Sequence, residues 1–426
     1  MSGSRRLQLG RRQTIGALFG LFGVYLVGYV AGHLDDARKA VSFERPPDPI
    51  DLSFRPGTVV AAIGAVMVVA GVASFFERRL GRVVPILLGV GAAMCIPLVV
   101  VVALALSDAS STNVMQLLVE SLKLGTPIAL GAMAGLWCER AGVVNIGIEG
   151  MMLSSAAIGF MVYATLGDAQ ETSWLWIGVL AGVLTGGLVA ALHALLSVTF
   201  RVDQIISGVV INLLALGVTG FLRSEVIVPS GVSTGVNLQP FELPLLSGIP
   251  IVGDQLFTNK PIFFAMFVIV AVTSIVLFRT PFGLRVRSCG ENPHAAETLG
   301  IDVIRIRYTA VIVGGLIAGL GGAWFSLESQ AGFEDNMTNG AGFIALAALI
   351  FGKWRPSTAF AGAMLFGFTR ALGARLQILG VQLGSFELPS ELWQSLPFVV
   401  TVVVVAGAVG RAIPPAADGV PFERSR

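Results

Sequence analysis

An all-α, polytopic membrane fold with roughly 10–12 spanning helices, some of them broken or re-entrant, is what this sequence predicts. Three observations predict it. Of its 426 residues, 54% are hydrophobic and 13% charged, with a mean hydropathy of +0.81. A soluble globule of that length cannot be covered with so little polar surface. Apolar runs long enough to cross about 30 Å of hydrocarbon recur along the chain. Small residues recur at helix-contact spacing, as in Gly131 and Gly135, Gly178, Gly182 and Gly186, and Gly315 and Gly319. In lipid, close approach of helix backbones at such positions takes over part of what water expulsion does in soluble cores, so the 52 glycines suit a tightly packed bundle.

In chain order, the clear runs are Ile15 to Gly32, Gly57 to Phe76, Val83 to Leu106, Trp174 to Val198, Ile205 to Leu222, Pro261 to Phe278, Tyr308 to Leu327 and Leu396 to Gly410. The first follows Arg5, Arg6, Arg11 and Arg12 without a convincing small-residue cleavage site, and reads as a retained helix. Three more are interrupted. Val114 to Cys138 carries Glu120 and Lys123, one turn apart, as an expected interfacial pair. Val143 to Leu166 opens with polar residues, and Gly340 to Leu376 holds two short runs split by GKWRP, Gly352 to Pro356. Non-helical backbone survives at membrane depth only when buried in protein or lining a cavity, so these breaks point toward a translocation path.

Charge reports orientation. The net charge of +2 is near neutral for this length and argues against nucleic acid as a partner. Basic residues fall at alternate loops: Arg78, Arg79 and Arg82, then Arg140, Arg201, the 279–307 loop, Lys353 with Arg355, and Arg411 with Arg424 and Arg426. The intervening loops Ser107 to Thr112 and Gly167 to Ser173 contain acids and no Lys or Arg. The pattern places both termini in the cytosol. Cys95, Cys138 and Cys289 are odd in number and form no CxxC pair, so neither a disulfide nor a metal site is expected.

Two stretches carry the functional reading. Gly135 to Leu153, GLWCERAGVVNIGIEGMML, sets Glu139, Arg140, Asn145 and Glu149 among apolar residues. An ionised group in hydrocarbon costs several kcal/mol unless it is paired or faces water. Asn145 and Glu149, expected at i and i+4 on one helical face, either line a path for a polar ligand or tie helices together; both readings stand. Phe325, Glu328, Asn336 and Asn339 are further path candidates, suited to an aromatic, polyhydroxylated ligand through stacking and hydroxyl hydrogen bonds. The second stretch, Arg279 to Arg307, is a compact cationic loop with a short helix inside it: Asn292 as N-cap, Pro293 at the first helical position, Glu297 in the same region and Gly300 as the stop.

No catalytic set is visible, since His33, His193 and His294 are isolated and no HExxH or GxSxG occurs, so the chain is read as no enzyme. GxxxxGK[ST] is also absent: Gly352 and Lys353 are followed by Trp354, with Ala347 where the first glycine would stand. No cofactor is expected in this chain, and any ATP and Mg belong on a partner.

The segments ERAGVVNIGIEGMM, GLRVRSCGENPHAAETLGIDV, GLIAGLGGAWFSLE and ALAALIFGKWRP resemble bacterial ABC-importer permeases of the nucleoside, simple-sugar and branched-chain amino acid group, the nucleoside branch best. The resemblance spans roughly 114–410 and implies the permease fold of that group, a multi-pass place in the bacterial inner membrane and an ATP-driven import of nucleosides. It also implies a second, homologous permease, a cytosolic ABC ATPase and an extracytoplasmic substrate-binding lipoprotein as partners. Gly290 to Asp302 matches the family's coupling segment, so Arg285, Arg287, Gly290, Glu291, Asn292, Pro293, Ala296, Glu297 and Gly300 become coupling candidates. Residues 1–112 form an extension of about three helices, 113–411 the permease core and 412–426 a cytosolic tail. Simple sugars or branched-chain amino acids are the alternative cargo, and a secondary transporter driven by an ion gradient is the alternative class.

Overall fold

A computed structural model describes residues 10–34, 37–43, 51–107, 109–166, 172–231, 235–250, 253–380, 382–383, 386–387, 389–399 and 412–424. Among them, nine helices are long and apolar enough to cross a membrane. The run Leu396 to Gly410 lies mostly outside the described residues, as does the acidic loop at 167–171. The chain divides into two compact units, residues 1–117 with 372–396 and residues 118–371 with 397–426.

The first unit holds α1 (Arg11–Tyr25, continued by π-helical turns at Leu26–Val30), α2 (Pro56–Phe75), α3 (Val83–Ala93) and α4 (Cys95–Ala105). Pro56 stands in the first turn of α2, where a missing amide costs nothing. Helices α3 and α4 form one span broken at Met94, because Pro97 cannot donate back to the preceding turn. Small residues bring α1 and α2 together: a Cβ on Gly71 would lie 2.6 Å from the Gly16 carbonyl oxygen. Short strands accompany the helices, among them a three-stranded sheet in this unit. β1 (Lys39–Ser42) pairs antiparallel with β2 (Asp51–Phe54) and parallel with β3 (Ser111–Asn113). The buried Lys39 ammonium donates to the carbonyls of Ser107 and Ala109, both at 2.8 Å.

The second unit is built from α5 (Val114–Arg140), α6 (Ile148–Leu166), α7 (Thr172–Ala194), α8 (Gln204–Leu222), α9 (Pro261–Arg279), α10 (Pro281–Glu291), α11 (Pro293–Thr298), α12 (Val303–Ala323), α13 (Ala341–Phe351) and α14 (Pro356–Ile378). Its core is almost wholly aliphatic and aromatic, around Ile128, Met133, Leu136, Met152, Phe160, Leu327, Ala345 and Phe366. The glycine spacing seen in sequence becomes a seam between α7 and α12, where Gly186 faces Gly315 and Gly319. The run Gly340 to Leu376 resolves into α13, too short at 11 residues to cross hydrocarbon, and the longer α14. Lys353 and Trp354 between them adopt left-handed φ values of 51° and 53°.

Candidate functional site

The two interrupted motifs meet. Between α5 and α6 the chain leaves the helical path at 141–147, and Gly142 takes a φ of +82°. Unwound backbone in a membrane needs side-chain partners, and neighbouring helices supply them. Gln204 accepts from the Val144 amide (2.7 Å), His193 Nε2 lies 3.0 Å from the Val144 carbonyl, and Asn212 bonds the Ile146 carbonyl (3.0 Å) and the Gly150 amide (2.8 Å). Since a carbonyl only accepts, the His193 proton sits on Nε2, leaving Nδ1 to accept from the Ser207 hydroxyl at 3.0 Å. The second break is tied to the first. Arg140 donates Nε and Nη2 to the Trp354 carbonyl at 3.0 and 2.6 Å, and the Trp354 indole donates to the Glu139 carboxylate. Those bonds hold Lys353 and Trp354 in their unfavourable backbone region.

Glu149, 6% exposed, accepts from Thr338 Oγ1 (2.6 Å), the Gly340 amide (2.8 Å) and the Gly342 amide (2.6 Å). It thereby caps the N-terminus of α13 from α6, where orphan amides and the helix dipole favour a carboxylate. Glu328, at the π-helical end of α12, does the same for α9: its two oxygens accept from the Ile262 and Phe263 amides at 2.6 and 3.1 Å, while Lys260 donates to its carbonyl. Burial lowers the Lys260 pKa, against the attraction of Glu328. Asn145, fully buried, turns its amide toward weak acceptors, the sulfurs of Cys138 (3.4 Å) and Met151 (3.6 Å), and among the described residues its Oδ1 has no partner. Phe325 is buried edge-on against Trp324 at 5.1 Å. Asn336 and Asn339 are exposed, both with positive φ, and the Asn339 carbonyl accepts from Arg370 at 3.1 Å. The structure thus gathers Glu149 with the 338–342 turn that Asn339 belongs to, while Glu328 and Phe325 sit at a separate helix end. Glu120 and Lys123 pair at 3.3 Å on the surface of α5.

The 279–307 loop folds as two short helices. Asn292 Oδ1 accepts from the Ala295 amide at 3.0 Å, Pro293 opens α11, and Gly300 ends it at a φ of +80°. Arg285 is exposed, whereas Arg287 stacks its guanidinium 5.1 Å over Phe278, with Arg140 over the same ring at 5.5 Å. Glu291 pairs with Arg140 at 3.8 Å. Gly290 and Ala296 are buried, and a Cβ on Gly290 would collide with the Arg140 carbonyl. A groove of 870 Å³ runs along α10 and the α11–α12 turn, lined by Leu284, Arg285, Leu299 and Arg305 among others. Leu299 there is 81% exposed.

Sequence reasoning missed Thr338, His193, Asn212 and Arg307. A signal existed for three of them, a polar side chain inside an apolar helical run, as for His193, Asn212 and Arg307. It missed Asp418 as well. Burial pushes the Asp418 carboxyl up to about 7, against the opposing pull of the Arg307 guanidinium and the Gly419 amide. An acid whose folded pKa lies above its ordinary 3.8 contributes stability fully below that value and loses it as pH rises through about 7. Amides of residues 416–420 are therefore expected to exchange faster, relative to intrinsic rates, at about pH 8 than at about pH 6. Asp418→Asn should flatten that dependence; a wild-type profile without slope would refute it.

Among the described residues no cluster of three or more His, Cys, Asp or Glu could hold a metal ion. The family model for the branched-chain amino acid transport system permease component matches residues 117–405. The guanosine ABC transporter permease protein NupQ of Bacillus subtilis (strain 168) is 37% identical over 313 residues, covering 72% of this chain and 96% of that protein. The nucleoside ABC transporter permease protein NupC of Lactococcus lactis subsp. cremoris is 37% identical over 317 residues, 74% and 99% of the two chains. The putative glucose ABC transporter permease protein TsgC13 of Haloferax volcanii is 34% identical over 308 residues, 69% and 92%. No solved structure matches.

Proposed function

The chain belongs to the permease family of the branched-chain amino acid transport system and is a multi-pass permease subunit of an ABC importer, not an enzyme, and we propose that its cargo is a nucleoside. One observation carries that cargo: the guanosine and nucleoside permeases align over nearly their whole length at 37% identity. The glucose permease at 34% supports sugars as the second reading. The bacterial permease relatives support an inner-membrane site, and the charge pattern supports cytosolic termini, which puts α10 and α11 on the cytosolic side.

In this reading ATP and Mg are bound by a cytosolic ABC ATPase whose surface meets α10 and α11, with the exposed Arg285 and Leu299 in the contact and Arg287, Gly290, Glu291, Asn292, Pro293, Ala296, Glu297 and Gly300 shaping it. A second permease completes the path, and an extracytoplasmic lipoprotein delivers the nucleoside. The Glu149 and Glu328 carboxylates are committed to backbone amides. They stiffen the broken helices rather than hold cargo, which suits a path that passes a polar ligand on without retaining it. Asn145, Phe325, Asn336 and Asn339 are the remaining path candidates.

The test is uptake of tritiated guanosine, uridine, glucose and leucine in cells with and without this chain, and with the ATPase Walker lysine intact or replaced. Guanosine and uridine uptake should fall in both the deletion and the ATPase mutant, with glucose and leucine unchanged. Loss of glucose uptake alone would transfer the cargo to sugars.

A further inference from the structure

We infer that the C-terminal segment 412–424 is a strap that positions the coupling helices α10 and α11, with Phe422 as its anchor. The inference rests on the reading of α10–α11 as the coupling segment and concerns what holds that segment in place.

The segment has no helix or strand of its own. Yet Phe422 is 5% exposed, inserted among Cys289 of α10, Ala296 of α11 and Val303 of α12. Its ring lies 5.3 Å from that of His294. A large apolar side chain at the end of an irregular segment buries itself only where a cavity is shaped for it, and this one lies at the meeting point of all three helices. Backbone bonds run in the same direction. The Ala417 amide donates to the Gly290 carbonyl at 2.8 Å, and the Ala416 amide to the Glu291 carboxylate at 3.3 Å.

On the other side the strap holds the membrane helices. Arg307 of α12, a fully buried arginine, donates to the Val420 carbonyl at 3.0 Å with its guanidinium 6.0 Å from the Phe422 ring. Among the described residues its Nε and Nη2 have no hydrogen-bond partner, nor has Asp418 Oδ1. Glu423 pairs with Arg201 between α7 and α8 at 2.7 Å, and Arg424 with Asp302 at 3.3 Å.

The mechanical consequence follows from helix length. α11 has six residues, too few to be stable without tertiary support. Without the strap α11 would rest on α10 and α12 alone, with Gly300 at a φ of +80° as its C-terminal joint. With Phe422 wedged between the three helices and the strap bonded to Arg307, a displacement of α11 by the ATPase is passed to α12 instead of being absorbed locally. Phe422 is accordingly a positioning residue.

Two measurements decide it. In the full chain in nanodiscs, Phe422→Ala should speed hydrogen exchange of the 296–301 amides about ten-fold while leaving the α7 and α12 cores protected. In the complete importer in proteoliposomes, the same variant should hydrolyse ATP at about the wild-type rate yet consume several-fold more ATP per tritiated guanosine taken up, and Phe422→Leu should restore the ratio. Phe422→Val, a smaller truncation that keeps the strap's ion pairs, serves if Phe422→Ala folds poorly. Unchanged exchange at 296–301 overturns the strap. Faster exchange with an unchanged ATP-to-guanosine ratio reduces it to a brace and overturns positioning. A wild-type complex that takes up no guanosine refutes the nucleoside reading, while the exchange result still decides the strap.

Discussion

Glu149→Ala is expected to be among the most damaging single substitutions in the chain, lowering stability by about 3 kcal/mol or more and abolishing uptake. The carboxylate is the common acceptor for Thr338 Oγ1 and the amides of Gly340 and Gly342. Truncation leaves three donors stranded where water is scarce, and it removes the negative charge that offsets the N-terminus of α13. Neutral interhelical hydrogen bonds in bilayers average only about 0.6 kcal/mol, so the large effect depends on the charge and on several donors sharing it. Thr338→Val removes one donor and keeps the acceptor, and should cost about 1 kcal/mol. Glu149→Gln should fall between, because its amide nitrogen would face an amide donor. Thermal midpoints of purified protein, followed by size-exclusion recovery after heating, order the three variants. A midpoint for Glu149→Ala equal to that of Thr338→Val would remove the carboxylate from its place as the tie between α6 and α13.

Gly186→Val is expected to prevent folding of the second unit. A Cβ there would lie 2.6 Å from Gly319 Cα, 2.7 Å from the Gly319 nitrogen, and closer still to the Gly315 carbonyl oxygen. Every one of those atoms is backbone, so no rotamer change relieves the clash and α7 must separate from α12. Overpacking a well-filled core costs about 1–3 kcal/mol when side chains can adjust, and more when helices must move apart along a seam. Gly217→Val provides the control, since nothing lies within 4 Å of that position. The yield of monodisperse protein after detergent extraction should collapse for the first and hold for the second. Equal yields would mean that the seam is looser than its glycines imply.

How much of this was legible in the sequence differs between helices and sites. The spans could be read because burial in lipid requires about twenty apolar residues wherever the chain goes, a local property. The same holds for α11, where Asn292, Pro293 and Gly300 act on their own turn of helix. The break at 352–355 was also visible, because a Gly-Lys-Trp-Arg-Pro run interrupts apolar ones. The run read from Val143, with Asn145 and Glu149 on one helical face, is corrected by the structure, which leaves Asn145 in the unwound stretch 141–147 ahead of α6.

What those polar residues bond was not legible. For Asn145 and Glu149 the spacing allowed either a path or a tie, and only the tertiary structure shows Glu149 capping a helix 191 positions away at Gly340. Glu139 and Trp354, or Arg307 and Val420, are likewise partners separated by more than a hundred residues. A charged residue such as Glu139 or Arg307 marks its own apolar run, but nothing in that run marks which distant group it meets. The strands β1 to β3 escaped for a related reason: segments of three or four residues carry too short a pattern to read, and their pairing is set by distant chain. The sequence by itself determined the membrane class, the helical spans, the break at 352–355 and the caps of the short helices. The tertiary structure decided which buried charges meet which backbone groups, because in a solvent that offers no hydrogen bonds every break must find its partners across the bundle.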